Sequence, residues 1–209
     1  MARIEPFENY SLRYEHWFEE NEFVYRTELR AVKALLPSQG RGIEIGVGSG
    51  RFAAPLGIRL GIEPSDRMSE LAKKRGIEVV KGVAENLPLK DAKLEFALMV
   101  TTICFVSDIS KSFREAHRIL KPNGSLIIGF VDKDSPIGES YLQHKDKSLF
   151  YNIATFYSVN EVIHHLTTAG FKDFTFVQTV FHSLPEIKSI EPMRNGYGNG
   201  SFVVVRARK

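Results

Sequence analysis

Glu44 stands inside the run Gly42-Ile43-Glu44-Ile45, which is followed at once by glycines at 46, 48 and 50, and a second acid, Glu63, closes the next apolar stretch. Glycines so spaced leave the backbone bare where a ligand can approach it, and they accept the positive φ that side chains resist. A carboxylate at the end of a second strand offers two acceptor oxygens to the paired hydroxyls of a ribose. The other reading of Glu63 is a solvated helix-cap acid ahead of Pro64. A diphosphate suits the pattern poorly, because a dinucleotide fingerprint requires a further glycine three residues after Gly48, where Arg51 stands. Glu44 would also repel it. The constellation favours a nucleoside-type ligand carrying positive charge.

Little else in the chain has the spacing of a chemical site. The single Cys104 excludes an internal disulfide and a thiolate metal cage, and it reads as a buried structural thiol. Among six histidines, His164 and His165 are adjacent and no His-x-x-x-His pair occurs, so no metal site is expected. The net charge of +3 is small for 209 residues, and basic residues cluster only at Lys73-Lys74-Arg75 and Arg206-Ala207-Arg208-Lys209. A nucleic-acid partner is therefore not expected. No apolar run approaches the roughly 20 residues of a membrane span, and MARIEPFENY lacks the pattern of a secretory signal, so a cytoplasmic location without membrane association is expected.

The elements that must position Glu44, the glycines and Glu63 follow from the periodicity. Two helical pieces are expected over residues 8–36, with Phe23, Leu29, Val32, Leu35 and Leu36 at helical spacing in the second. In the first, Tyr10, Tyr14, Trp17 and Phe18 share a face, which either packs on the domain or covers a pocket. A short helical stretch is expected over Arg51 to Leu56. Strands are expected at Ile58 to Ile62, Ile77 to Val80, Leu94 to Val100, Ser125 to Val131, Phe174 to Phe181 and Ser201 to Ala207. Ser65, Asp108 and Ser158 with Glu161 are helix caps, and Gly76 and Gly170 are stops. Strands alternating with helices imply a parallel sheet covered on both faces. Residues 132–157 break the rhythm with a polar, aromatic run.

In order along the chain, Glu44-Ile45-Gly46-Val47-Gly48-Ser49-Gly50, Glu63, GVAENLPLKDAKLEFALMV and REAHRILKPNGSLIIG resemble the motifs of the class I S-adenosylmethionine-dependent methyltransferases, in the ubiquinone-biosynthesis-like branch that acts on small molecules. The resemblance implies a doubly wound, Rossmann-like α/β fold with a seven-stranded, mostly parallel sheet whose last strand is antiparallel. It implies a helical lid over residues 1–37 and a methyltransferase domain over 38–209, with the 132–157 insertion near the substrate side.

Carried onto this chain, it implies that Glu44, Gly46, Gly48 and Gly50 border the methionine moiety and that Glu63 holds the ribose. Pro64, Met68, Val83, Ala84 and Glu85 would surround the adenine, Thr101 and Thr102 would face the methionine end, and Tyr14 and Trp17 would close the lid. The sequence departs from the family at Val83 and Ala97, where many relatives carry aspartate, and at Ile103-Cys104, where many have an aromatic or histidine pair.

The function implied is direct methyl transfer from S-adenosylmethionine to a small-molecule acceptor, leaving S-adenosylhomocysteine, in a monomer or homodimer. Because the sulfonium is already activated, the protein's task is to align a nucleophile behind the methyl in a water-poor site. Candidate acceptor-side residues are Tyr14, Trp17, Tyr141, His144, Tyr151 and Tyr197; no catalytic residue is singled out. Two other readings stay open, a non-catalytic protein that binds S-adenosylmethionine and a nicotinamide-dependent reductase, the latter disfavoured by Arg51 and the antiparallel ending.

Overall fold

The strand Leu94–Val100 is apolar along almost its whole length because both of its faces are covered, as expected of a central parallel strand. In the computed structural model, which describes residues 4–209, Ala97 and Met99 enter one hydrophobic layer while Phe96, Leu98 and Val100 enter the other. The first three residues of the expected 1–37 lid segment lie outside the described residues.

Among the described residues the helices are α1 (Glu5–Asn9), α2 (Ser11–Glu20), α3 (Glu22–Leu35), α4 (Asp66–Lys74), α5 (Ile109–Ile119), α6 (Pro136–Gln143) and α7 (Val159–Thr168). The strands are β1 (Gly42–Ile45), β2 (Leu60–Glu63), β3 (Glu78–Lys81), β4 (Leu94–Val100), β5 (Leu120–Val131), β6 (Lys172–Thr179), β7 (Arg194–Asn195) and β8 (Phe202–Arg208). Their order across the sheet is β3-β2-β1-β4-β5-β8-β6-β7. β1 to β5 run parallel, and β8 lies antiparallel to both β5 and β6. The sheet is the expected seven-stranded one with an antiparallel last strand, extended by the two-residue edge strand β7.

α5 and α7 cover one face through Phe113, Ala116, Val162 and Leu166. α3 covers the other, but with a register different from the expected one. Phe23 is exposed, and the buried stripe is Val24, Thr27, Glu28, Ala31, Val32 and Leu35. An acid is thus buried where the apolar spacing pointed to a phenylalanine one turn earlier.

Ser65, Asp108 and Ser158 cap α4, α5 and α7 as expected, accepting from the amides of Met68, Lys111 and Glu161. Two expectations fail locally. Residues 8–36 hold α2 and α3 and the end of a third helix, α1, which starts at Glu5 with Pro6 in its first turn. Arg51 to Leu56 forms turns only: Ala54 and Leu56 make helical hydrogen bonds to Gly50 and Phe52, but Pro55 has no amide to continue them. The 132–157 segment is less irregular than its composition implies, holding α6, whose cap is Ser135, and two short 3-10 turns. No helix among the described residues is long and apolar enough to cross a membrane.

Candidate active site

The strand order reverses between β1 and β4, and the carboxyl ends of β1, β2, β3 and β4 converge there, as the rule for open α/β sheets requires. Gly46 and Gly48 follow β1, Glu63 ends β2, Val83 to Glu85 follow β3, and Thr101 and Thr102 follow β4. All of them line one cleft with an open volume of about 700 Å³. Tyr14, Pro64 and Met68 complete it among the expected residues.

The turn after β1 needs its glycines. Gly46 has φ +71°, and a Cβ there would lie 2.4 Å from Thr102 Cγ2. Gly48 has φ +54° and faces α2, with Tyr14 Oη 3.7 Å from where its Cβ would be. Thr102 ties the turn to β4, its hydroxyl donating to the Val100 carbonyl at 3.1 Å and lying 3.4 Å from the Gly46 carbonyl. Thr101 is itself in the left-handed region, with φ +49°, which is uncommon for a β-branched residue and marks local strain at the cleft.

Glu63 Oε2 accepts the Gly48 amide at 2.8 Å and Oε1 accepts the Ser65 amide at 3.0 Å. Burial pushes its carboxyl up to about 7, against the pull of those two amides. A carboxylate can accept about four hydrogen bonds in all, so Glu63, which lines the cleft, keeps acceptor capacity beyond these two amides. Glu85 also lines the cleft, and its Oε1 accepts the Ser107 amide at 2.5 Å.

α1 and α2 lie over this cleft. Their aromatic face is formed by Phe7, Tyr14, Trp17 and Phe18, whereas Tyr10, expected on it, is exposed. α2 is fastened to the domain by ions. Glu15 receives Arg51 Nε at 3.0 Å and is also paired with Arg75, which donates to the Ser49 carbonyl at 2.8 Å. Glu8 accepts the Asp66 amide at 2.5 Å, at the start of α4. Arg51, which stands where a dinucleotide motif has its third glycine, therefore grips α2, its guanidinium 5.3 Å from the centre of the Phe18 ring.

A second cavity of about 1220 Å³ adjoins the first, and Phe7, Tyr14, Thr101 and Phe105 line both. Trp17, Tyr141 and Tyr151 line this second space. The two tyrosine rings are 4.7 Å apart, and burial pushes Tyr141 up to about 12 and Tyr151 well above its ordinary value.

Four expected site residues, Glu44, Gly50, His144 and Tyr197, line neither of the two cavities. Glu44 lies beneath the turn, 2% exposed, with its carboxyl pushed well up by burial against the pull of the Ala53 amide; its Oε2 has no hydrogen-bond partner among the described residues. Gly50 packs on Ala72 and Ile77. Trp17, expected both over the donor and on the acceptor side, borders the second cavity and not the first. His144 is exposed and its Nδ1 donates to the Ser140 carbonyl at 2.9 Å. Tyr197 is 41% exposed, its ring tilted against Phe176 of β6. Both had been placed by aromatic or polar type alone, and the chain path carries them elsewhere. Conversely, the sequence reading passed over Phe105, Phe7 and Glu28. Phe7 and Glu28 sit at helical spacing with Tyr14 and Val24, respectively, so a register shift of the expected stripes finds them; Phe105 has no such signal. Cys104 is buried against Ala154 and Phe156, as expected of a structural thiol.

The cleft has the chemistry that a sulfonium nucleoside requires: bare backbone at Gly46 and Gly48, an acid at the end of β2 with free acceptor capacity, apolar side chains from Met68, Val83 and Ala84, and no cationic side chain in its lining among the described residues. No group of acidic, histidine or cysteine side chains among the described residues could hold a metal.

Residues 43–128 match the family described as "Methyltransferase domain". The chain is 53% identical to a Thermotoga maritima protein described as an S-adenosylmethionine-dependent methyltransferase and possible histamine N-methyltransferase, whose crystal structure superposes with a TM-score of 0.97 over 99% of each chain. It is 43% identical to an uncharacterized protein of Methanocaldococcus jannaschii over 97% of this chain and 98% of that one. A Haemonchus contortus phosphoethanolamine N-methyltransferase in complex with S-adenosylmethionine shares the fold, with 16% identity and a TM-score of 0.63 over 88% of this chain and 52% of that one. Motif order, sheet topology and full-length similarity agree, and the chain belongs to the class I S-adenosylmethionine-dependent methyltransferases.

Proposed function

We propose that this methyltransferase acts on a small molecule enclosed in the second cavity, with the methyl donor held in the first. The observation that carries the reading is the shared wall: Phe7, Tyr14, Thr101 and Phe105 border both spaces, so a donor in one presents its methyl toward an acceptor in the other. The aromatic lining and the small net charge of +3 support a compact acceptor over a nucleic acid.

In this reading Glu63 accepts from the ribose hydroxyls, Pro64, Met68, Val83, Ala84 and Glu85 surround the adenine, and Gly46, Gly48, Thr101 and Thr102 face the methionine end. S-adenosylmethionine supplies an electrophilic methyl on a positively charged sulfur. The chain supplies alignment and dryness. Tyr14 and Phe105 narrow the passage between the cavities, and the lid, fastened by Glu15 to Arg51 and Arg75, excludes water from it. Residues 1–37 serve as two units in this reading, since α1 and α2 cover the site while α3 packs on the sheet. The 132–157 segment supplies Tyr141, Phe150 and Tyr151 to the acceptor side.

Calorimetric titration with S-adenosylhomocysteine, followed by a methyl-transfer screen with labelled donor over small amines, phenols and thiols, tests the proposal. Saturable binding and transfer to a low-molecular-weight acceptor are expected. Binding without transfer to any acceptor class would favour a sensor, and tight NADH binding with no response to S-adenosylhomocysteine would overturn the donor assignment.

A further inference from the structure

Glu28 projects from α3 into the second cavity and is 7% exposed. Its carboxylate has no hydrogen-bond or ion-pair partner among the described residues, and burial alone pushes it up to about 8. Every other buried acid near the site has backbone donors: Glu63 has two, and Glu44 has the Ala53 amide. A lone carboxylate under an apolar roof is costly for a fold to keep, because nothing replaces the water it has lost. Such a group is retained where a ligand completes it.

The surroundings specify the ligand. Glu28 shares its cavity with Trp17, Phe18 and Phe52 and with the phenols of Tyr14, Tyr141 and Tyr151, and its charge acts on all three phenols. The rings come from different elements and stand at angles to one another: Trp17 and Phe18 are 5.2 Å apart and nearly perpendicular, and Tyr141 and Tyr151 are 4.7 Å apart and tilted. Aromatic faces arranged around a carboxylate attract a cation both through the ring quadrupoles and through the charge itself. Among the described residues the lining holds two cations, Arg13 and Lys147, and one further acid, Glu20, and all three are exposed. No buried side chain among the described lining residues would neutralise an anionic acceptor, and such an acceptor would share the cavity with Glu28.

We propose that the second cavity selects a compact acceptor bearing an amine, bound as its ammonium cation, with Glu28 as the counter-charge and the surrounding aromatic rings as walls. This rests on the reading that the second cavity is the acceptor site. It assigns Glu28 as a specificity-determining residue. The two exposed cations do not reach the buried carboxyl as partners, so in the empty cavity it holds its proton, and it ionises against an arriving ammonium. A neutral or anionic molecule of the same skeleton gains the aromatic contacts and loses the ion pair.

Trp17 is the chain's single tryptophan and lines this cavity, so its fluorescence reports occupancy there without need of turnover. The test uses the full chain and a panel of phenethylamine, tyramine, tryptamine and cyclohexylmethylamine, each beside the alcohol and the carboxylate of the same skeleton. At least one amine is expected to bind roughly tenfold or more tightly than its alcohol and carboxylate, and Glu28→Gln is expected to erase that preference while the affinity for S-adenosylhomocysteine stays unchanged. Equal binding across the three head groups, a preference that survives Glu28→Gln, or no binding by any amine would each overturn the proposal. Should Glu28→Gln fail to fold, Glu28→Met, of similar volume, carries the same comparison. Intact S-adenosylhomocysteine binding without amine preference defeats the amine assignment alone. Absent S-adenosylhomocysteine binding with amine quenching of Trp17 retained defeats the donor reading alone.

Discussion

Glu63 Oε2 accepts the amide of Gly48 at 2.8 Å, so the acid that ends β2 also fixes the middle of the turn that follows β1. One carboxylate shapes the glycine turn and forms the floor of the donor cleft beside it. In the proposed donor site, its ionisation is coupled to ligand binding. Burial raises Glu63 to about 7, and an acceptor role toward ribose hydroxyls requires the carboxylate form.

Affinity for S-adenosylhomocysteine is accordingly expected to rise with pH through neutrality, being roughly tenfold weaker at pH 6 than at pH 8. Calorimetry at the two values checks this, and Glu63→Gln is expected to flatten the profile. Glu63→Ala is expected to weaken binding by about 1–3 kcal/mol, since it leaves the Gly48 and Ser65 amides without their partner.

Glycine at 46 is fixed by two constraints at once, its φ of +71° and the 2.4 Å approach of Thr102 to any Cβ. Gly46→Ala is expected to lower stability by about 1–3 kcal/mol and to abolish donor binding. Gly48→Ala has more room, with Tyr14 Oη 3.7 Å away, so its cost is expected mainly in ligand affinity. Thermal denaturation beside titration separates the two.

The lid fastening gives a kinetic prediction. Glu15→Ala removes the partner of both Arg51 and Arg75 and is expected to speed S-adenosylhomocysteine release, with a loss of about 1–3 kcal/mol in affinity. Stopped-flow dissociation measures it. An unchanged release rate would show that the aromatic packing of α2 holds the lid without the ions.

Trp17 borders the second cavity alone, so Trp17→Ala is expected to raise the KM for the acceptor several-fold while donor affinity holds. A loss of donor affinity of similar size would return Trp17 to the donor side.

Burial raises both Glu28 and Glu44 above their ordinary carboxyl values, Glu28 from 4.5 to about 8. A carboxyl whose folded pKa is raised binds its proton more tightly in the folded state. Its contribution to stability is full below pH 4.5 and is lost as pH climbs toward 8, at a slope of up to about 1.4 kcal/mol per pH unit within that window. Chemical denaturation of the ligand-free protein from pH 5 to pH 8 is expected to show a steeper fall for wild type than for Glu28→Gln. Parallel curves would mean that Glu28 is not protonated in the fold.

The helix caps, the central strands and the glycine turn were legible because each rests on local chemistry. Ser65, Asp108 and Ser158 bond amides three residues away, and Leu94–Val100 shows its burial by composition. The misplacements arose where local signals stay silent. Phe23 and Glu28 exchange the roles that their types suggest, because the face that α3 turns to the sheet is set by contact with strands far along the chain. Tyr197 and His144 have the right chemistry and the wrong address, for a side chain's type says nothing about where a long connection carries it.

The sequence by itself determined the sheet, the donor motifs and their order, since strand ends, caps and glycines are fixed by backbone geometry within a few residues. Only the tertiary structure decided that Arg51 holds α2, that Glu44 lies under the turn, and that Phe7, Phe105 and Glu28 meet at the junction and wall of the second cavity. Those outcomes depend on contacts between residues far apart in the chain, whose geometry comes into being only when the helices settle on the sheet.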